Sequence, residues 1–187
     1  MRKLFLGAAA LIFTGLLVGC NQLTQYTLSE QQVNEYLQKH NDYQKQLGVP
    51  GLVDARITLT DLTSQIGRAE PGKITLSGHA DVDISSLFGA QKANMVLTLK
   101  ATPSFDKAQG AIFMKDMEVT DYTIQPEKMQ SVMQNLMPYL NRSLKSYFDQ
   151  KPVYVLDGDR SKTEALAKKL AKGIEVQPGQ LVIPFTD

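Results

Sequence analysis

From Ile74 to Ser85 the chain alternates without a break. Ile74, Leu76, Gly78, Ala80, Val82 and Ile84 take one side, and Thr75, Ser77, His79, Asp81, Asp83 and Ser85 take the other. Successive strand side chains point to opposite faces, so the segment is committed to a strand with one dry face and one wet one. Such a strand needs antiparallel neighbours, and the flanking sequence supplies them. Ile57 and Leu59 alternate in one phase and Leu62 and Ile66 in the other, the one-residue slip that a β-bulge produces. Pro71-Gly72 marks the turn between these two strands. Ala93, Met95, Leu97, Leu99 and Ala101 set a third strand, and Ile112 and Met114, then Met117 and Val119 after a second slip, set a fourth. At about 10 to 13 residues each, these strands exceed the common 5 to 6. Long twisted strands with bulges curl, and a curled sheet has a concave face to fill.

The filler comes next in the chain. From Pro126 to Asp149, apolar residues recur at Met129, Val132, Met133, Leu136, Met137, Leu140, Leu144, Tyr147 and Phe148. At about 100° per residue they span about 160° of a helix, with Gln134, Asn135, Pro138, Asn141, Arg142 and Lys145 on the rest. Pro138 falls on the wet side, where it bends a helix rather than ending it. The helix, about 36 Å long at 1.5 Å per residue, matches a strand of about 11 residues at 3.3 Å each. The expected fold is therefore α+β: a long, highly curved antiparallel sheet wrapped around a long amphipathic helix.

The smaller elements read as follows. Ser29 and Gln32 form a capping box that opens a helix from 29 to 44, closed by the loop Gly48-Val49-Pro50-Gly51. Asn21 to Thr27 is short and polar, a tether. Val153 and Val155 suggest a short strand. Ser161 and Glu164 make a second capping box, opening a helix with Leu166, Ala167, Leu170 and Ala171 inward. Ile174 to Val176 and Leu181 to Ile183, joined at Pro178-Gly179, close the chain as a hairpin.

The first twenty residues address the chain rather than fold it. Basic Arg2 and Lys3, an apolar run from Leu4 to Val18, and the small residue Gly19 are the three parts of a secretion signal. The run of about 15 residues is shorter than the roughly 20 that span a bilayer. Leu17-Val18-Gly19-Cys20 resembles the lipobox of bacterial lipoproteins, which implies cleavage before Cys20 and its acylation. Asn21 in second place resembles the outer-membrane sorting pattern, with the domain facing the periplasm. Three units follow: a signal peptide over 1–19, a lipidated tether over 20–28 and one domain over 29–187. Loss of Arg2 and Lys3 takes the formal charge from +1 to −1. That balance, without a basic stripe, excludes electrostatic capture of nucleic acid. Cys20 is the sole cysteine; acylation consumes it, so no disulfide forms and burial alone must hold the domain.

In this order of elements, ending Gln180-Leu181-Val182-Ile183-Pro184-Phe185, the chain resembles the YceB family of uncharacterised enterobacterial lipoproteins. The fold of that family is similar to the tubular lipid-binding (TULIP) superfamily, in which a curved sheet wraps a long helix and apolar ligands lie between. The resemblance implies binding or transfer of a phospholipid or fatty acid. The lining would be Met129, Met133, Leu136, Met137, Leu140 and Leu144 of the helix with Leu76, Val82, Met95, Leu97 and Leu99 of the sheet. Methionine suits adaptable apolar surfaces, yet a methionine stripe at helical spacing also makes ordinary core. Both readings stand on the sequence, as does the alternative of an adaptor lipoprotein with a packed interior that recruits a protein partner.

Chemistry for turnover is missing. His79, Asp81 and Asp83 share one wet strand face that converges on nothing, whereas metal sites draw ligands from converging elements. Asp157-Gly158-Asp159-Arg160-Ser161 lacks the glycine and glutamate of a calcium loop, with Lys162 and Lys168 in those places. No nucleophile elbow or phosphate loop is present, and His40 has no partner motif. The expectation is a non-enzymatic protein without metal or cofactor.

Overall fold

The structure is a computed structural model that describes residues 24–41, 43–49, 53–86 and 89–186. The signal segment, Cys20 and the Pro50-Gly51 loop lie outside the described residues. Strand β1 (Gln25–Ser29) leads into helix α1 (Glu30–His40), followed by β2 (Gln44–Val49), β3 (Val53–Ile66), β4 (Ile74–Ser86), β5 (Gly89–Asp106) and β6 (Ala111–Gln125). A single 3₁₀ turn leads into α2 (Gln130–Gln150), then come β7 (Tyr154–Val155), α3 (Lys162–Leu170), β8 (Glu175–Gln177) and β9 (Gln180–Pro184).

One antiparallel sheet runs β2-β3-β4-β5-β6-β7, and a smaller one runs β1-β9-β8. The alternation at Ile74 to Ser85 becomes β4, with every apolar member buried and paired without a slip to β5. Both expected slips are present. The β3–β4 register shifts between Thr60 and Thr63, where Asp61 has a left-handed φ of 50°. The β5–β6 register shifts opposite the segment holding Asp116, whose φ is 52°. Opposite the first bulge, β4 carries Gly78, because a Cβ there would stand 2.7 Å from Leu62 Cδ2.

Helix α2 lies against both β6 and β2. Those strands are four places apart, about 19 Å along a flat sheet at 4.8 Å per strand. A helix about 10 Å across can touch both only if the sheet curls around it. Its apolar stripe does so: Met129, Met133, Leu136, Leu140, Leu144 and Phe148 are buried, and Pro138 faces solvent as expected. Polar ties fix the register of α2 against its neighbours. Val119 N donates to Asn141 Oδ1 at 3.0 Å, Lys115 Nζ to the Asp149 carbonyl at 2.9 Å, and Tyr43 Oη to Ser143 Oγ at 3.1 Å.

Three expectations need correction. The domain starts earlier than residue 29, because residues 25–29 pair as β1 with β9 and so belong to the fold rather than to a tether. Helix α1 keeps its Ser29–Gln32 capping box but ends at His40, and Gln44 to Val49 form an edge strand where a helix end and loop were expected. Polar Gln44 and Gln46 suit that edge, but only pairing with β3 turns them into a strand. On α3, Leu166 and Leu170 are 39% and 45% exposed. Glu164, Ala167 and Ala171 face inward instead, because the site beneath α3 accepts small side chains and one carboxyl group.

Candidate functional site

Ten of the eleven side chains expected to line a groove are buried, and Met137 is half-buried. Met133, Leu140, Leu144, Leu76, Leu97 and Leu99 have no accessible surface at all. No water-sized space adjoins them, so α2 and the sheet pack closely along this stretch. These residues are core in this structure rather than the lining of an open trough. The packing has a plain cause: the helix that curls the sheet also fills it. The six methionines beyond Met1 nonetheless all belong to that interior, Met95, Met114 and Met117 from the sheet, Met129 from the 3₁₀ turn, and Met133 and Met137 from α2.

Among the described residues, open space is found at one end of α2. A cleft of about 370 Å³ is framed by α1, β3 and the exit of α2. Leu37, Leu62, Phe148 and Val153 line it as members of the buried core that reach the surface there. Lys39, His40, Asn41, Lys151 and Pro152 complete the described wall with Tyr36 and Tyr147. Shallower grooves of about 510 and 280 Å³ adjoin it, sharing Tyr36 and His40 and adding Arg160; Glu35, Asp157 and Asp159 lie in these outer grooves.

Local geometry makes Tyr36 the centre of this surface. One helical turn separates it from His40, and their rings stack with centroids 4.0 Å apart. His40 Nδ1 lies 2.9 Å from the Tyr36 carbonyl oxygen. Burial raises the Tyr36 hydroxyl above the usual phenol range, while the nearby cations Arg160 and Lys151 pull the other way. Asn41, the C-cap of α1, donates from Nδ2 to the Leu59 carbonyl at 3.0 Å, and its buried Oδ1 has no protein donor. The cleft thus offers an apolar floor, two aromatic walls, a cationic rim and one unused acceptor.

Behind it sits a polar hub whose one trace in the sequence is a helix cap. Ser161 Oγ does accept from Glu164 N at 3.1 Å, but the Glu164 side chain does not return to complete a capping box. It is 2% exposed and turns inward. Tyr26 Oη and Tyr154 Oη each donate to Oε1 at 3.2 Å, and Asp157 N donates to Oε2 at 2.8 Å. Arg160 Nη1 donates to Tyr154 Oη at 2.6 Å and stands 3.4 Å from Glu164 Oε1. Burial, then the bond to Tyr154, raises the Tyr26 hydroxyl far above the usual range. This hub joins β1, β7 and α3 and fixes Arg160 at the edge of the outer grooves. Its only advance signal was a glutamate in the first turn of a short helix.

His79 stands exposed on the outer face of β4, with Nδ1 3.7 Å from Asp61 Oδ2, and Asp81 and Asp83 are exposed beside it. Among the described residues no three His, Cys, Asp or Glu side chains gather as a metal site, and no helix is long and apolar enough to cross a membrane.

The profile of the family described as "Protein of unknown function (DUF1439)" matches residues 28–180. The chain is 66% identical over 183 residues to the "Uncharacterized lipoprotein YceB" of Escherichia coli (strain K12), covering 98% of each sequence. It is 64% identical over 187 residues to the protein of the same description from Salmonella typhimurium, covering all of both. Among solved structures it is similar to a crystal structure of lipopolysaccharide binding protein, at 11% identity and a TM-score of 0.31. That match covers 86% of this chain, which spans about half (49%) of the other. At that score no function travels with the likeness.

Proposed function

This chain belongs to the DUF1439 family, and on that premise we propose that it is a lipid-anchored, non-catalytic protein of the bacterial envelope that binds an anionic amphiphile. The ligand is a fatty acid or phospholipid. The cleft beside Tyr36 and Phe148 is where it enters. The observation that carries the reading is the emergence of the apolar core at a 370 Å³ opening with Lys39 and Lys151 on its rim. Concave sites with an apolar lining and a few polar groups are where small ligands bind. An acyl chain would lie on Leu37, Leu62, Phe148 and Val153, and a carboxylate or phosphate would meet Lys39 and Lys151. The methionine-rich interior beyond Phe148 can repack around a longer chain, since thioether side chains are unbranched and adaptable.

Anchoring is supported by Leu17-Val18-Gly19-Cys20 and by relatives described as lipoproteins; Asn21 favours the outer membrane facing the periplasm. Binding is favoured over turnover because the described cleft lining offers His40 but no Ser, Cys, Asp or Glu. Titration of the mature protein with a fluorescent fatty acid tests the reading. Saturable uptake is expected, weakened about tenfold (~1.4 kcal/mol) by Lys39→Glu with Lys151→Glu. No uptake by the unmodified protein refutes it. The solid interior supports a second reading, an adaptor that recruits an envelope protein through its outer face. Crosslinking that captures one partner reproducibly, without fatty-acid uptake, would favour it.

A further inference from the structure

We propose that the outward face of α3 is a membrane-docking surface that lies on the anionic phospholipid bilayer holding the lipid anchor. This rests on the anchoring reading and is independent of the cleft. Leu166 and Leu170 are one helical turn apart and are among the few large apolar residues that the described surface exposes. Burial of Glu164, Ala167 and Ala171 turns them outward. Lys162 and Lys169 fall within about 60° of Leu166 around the helix. From Arg160 to Lys172 the chain has five basic residues and one acid, and that acid is the buried Glu164. Asp157, Asp159 and Glu175 flank the stretch. On a mature chain of net charge −1, this is a marked local excess of positive charge.

Position is the second observation. Lys172 N donates to the Pro184 carbonyl at 2.9 Å, Pro184 pairs with Gln25, and Phe185 N donates to the Thr24 carbonyl at 2.8 Å. The C-terminal end of α3 is therefore one strand away from the start of β1. Three residues separate Cys20 from Thr24, and the four Cα steps between them reach at most about 14 Å. An acylated Cys20 keeps the start of β1, and α3 beside it, close to the headgroups. Exposed leucines flanked by lysines suit that boundary, apolar atoms entering the acyl edge while ammonium groups meet phosphates.

The lipidated mature protein in vesicles of phosphatidylcholine and phosphatidylglycerol tests this. Acylation blocks Cys20, so Leu170→Cys carries a single environment-sensitive fluorophore, and Lys92→Cys on β5, 89% exposed, is the control. Both sites are on the surface, so folding is not at stake. A blue-shifted label at 170, quenched severalfold more by a lipid-borne quencher than the label at 92, is expected, as is loss of that difference with Lys162→Glu and Lys169→Glu. Labels equally wet at both positions on protein that co-floats with vesicles overturn the docking alone. Failure to co-float overturns the anchor and the docking together.

Discussion

Leu140→Ala asks whether the space between α2 and the sheet is solid. Leu140 has no accessible surface. Removing three carbon groups forfeits about 2.4 kcal/mol at 0.8 kcal/mol each. The helix cannot slide to fill the gap, because Asn141 is bonded to Val119 N and Ser143 to Tyr43. A residual void of about 60 Å³, at about 24 cal/mol per Å³, adds about 1.4 kcal/mol. The sum is about 4 kcal/mol. Met137→Ala, one turn earlier and half-buried, should cost about 1 kcal/mol, since it leaves no enclosed void. Urea unfolding of the mature protein measures both as shifts in midpoint at constant slope. A Leu140→Ala cost no larger than that of Met137→Ala would refute the reasoning. It would mean that residue 140 faces open space, and the trough rather than its end would be the binding site.

Glu164→Ala removes the acceptor shared by Tyr26, Tyr154 and the Asp157 amide. At about 1–3 kcal/mol per stranded buried group the loss should reach about 3 kcal/mol; Glu164→Gln, which keeps one acceptor oxygen, should cost less in the same urea assay. Alkaline pH should destabilise the protein. Burial raises the hydroxyls of Tyr26, Tyr36, Tyr43 and Tyr154, so above about pH 10 the unfolded chain gives up protons that the native chain keeps, and stability falls as pH rises. Below that range these groups contribute no pH dependence; Tyr26→Phe should flatten the alkaline slope, and an unchanged slope would contradict the assignment. Cys20→Ser should release the protein from the membrane fraction on cell fractionation, whereas persistent membrane association would point to an uncut anchor.

The four long strands and the long helix were legible because their signal is periodic and local. The alternation through β4, the slips at Asp61 and Asp116, and the stripe from Met129 to Phe148 each repeat one rule several times. Tertiary context decided what periodicity cannot carry. Gln25 to Ser29, with only Tyr26 and Leu28 alternating inward, and Gln44 to Val49, with Gln44, Lys45 and Gln46 in a row, are too short to declare themselves, and pairing with β9 and β3 makes them strands. Leu166 and Leu170 match a buried helix face as well as Glu164 and Ala167 do. The choice between them was made by Tyr26 and Tyr154, which are 138 and 10 residues away from Glu164 and present hydroxyls that need an acceptor. Likewise the sequence determined that a greasy helix would lie in a bent sheet. Whether that pair closes completely depends on how the side-chain volumes sum once the sheet has curled. Close packing is a property of many residues meeting at once, and no local pattern encodes it.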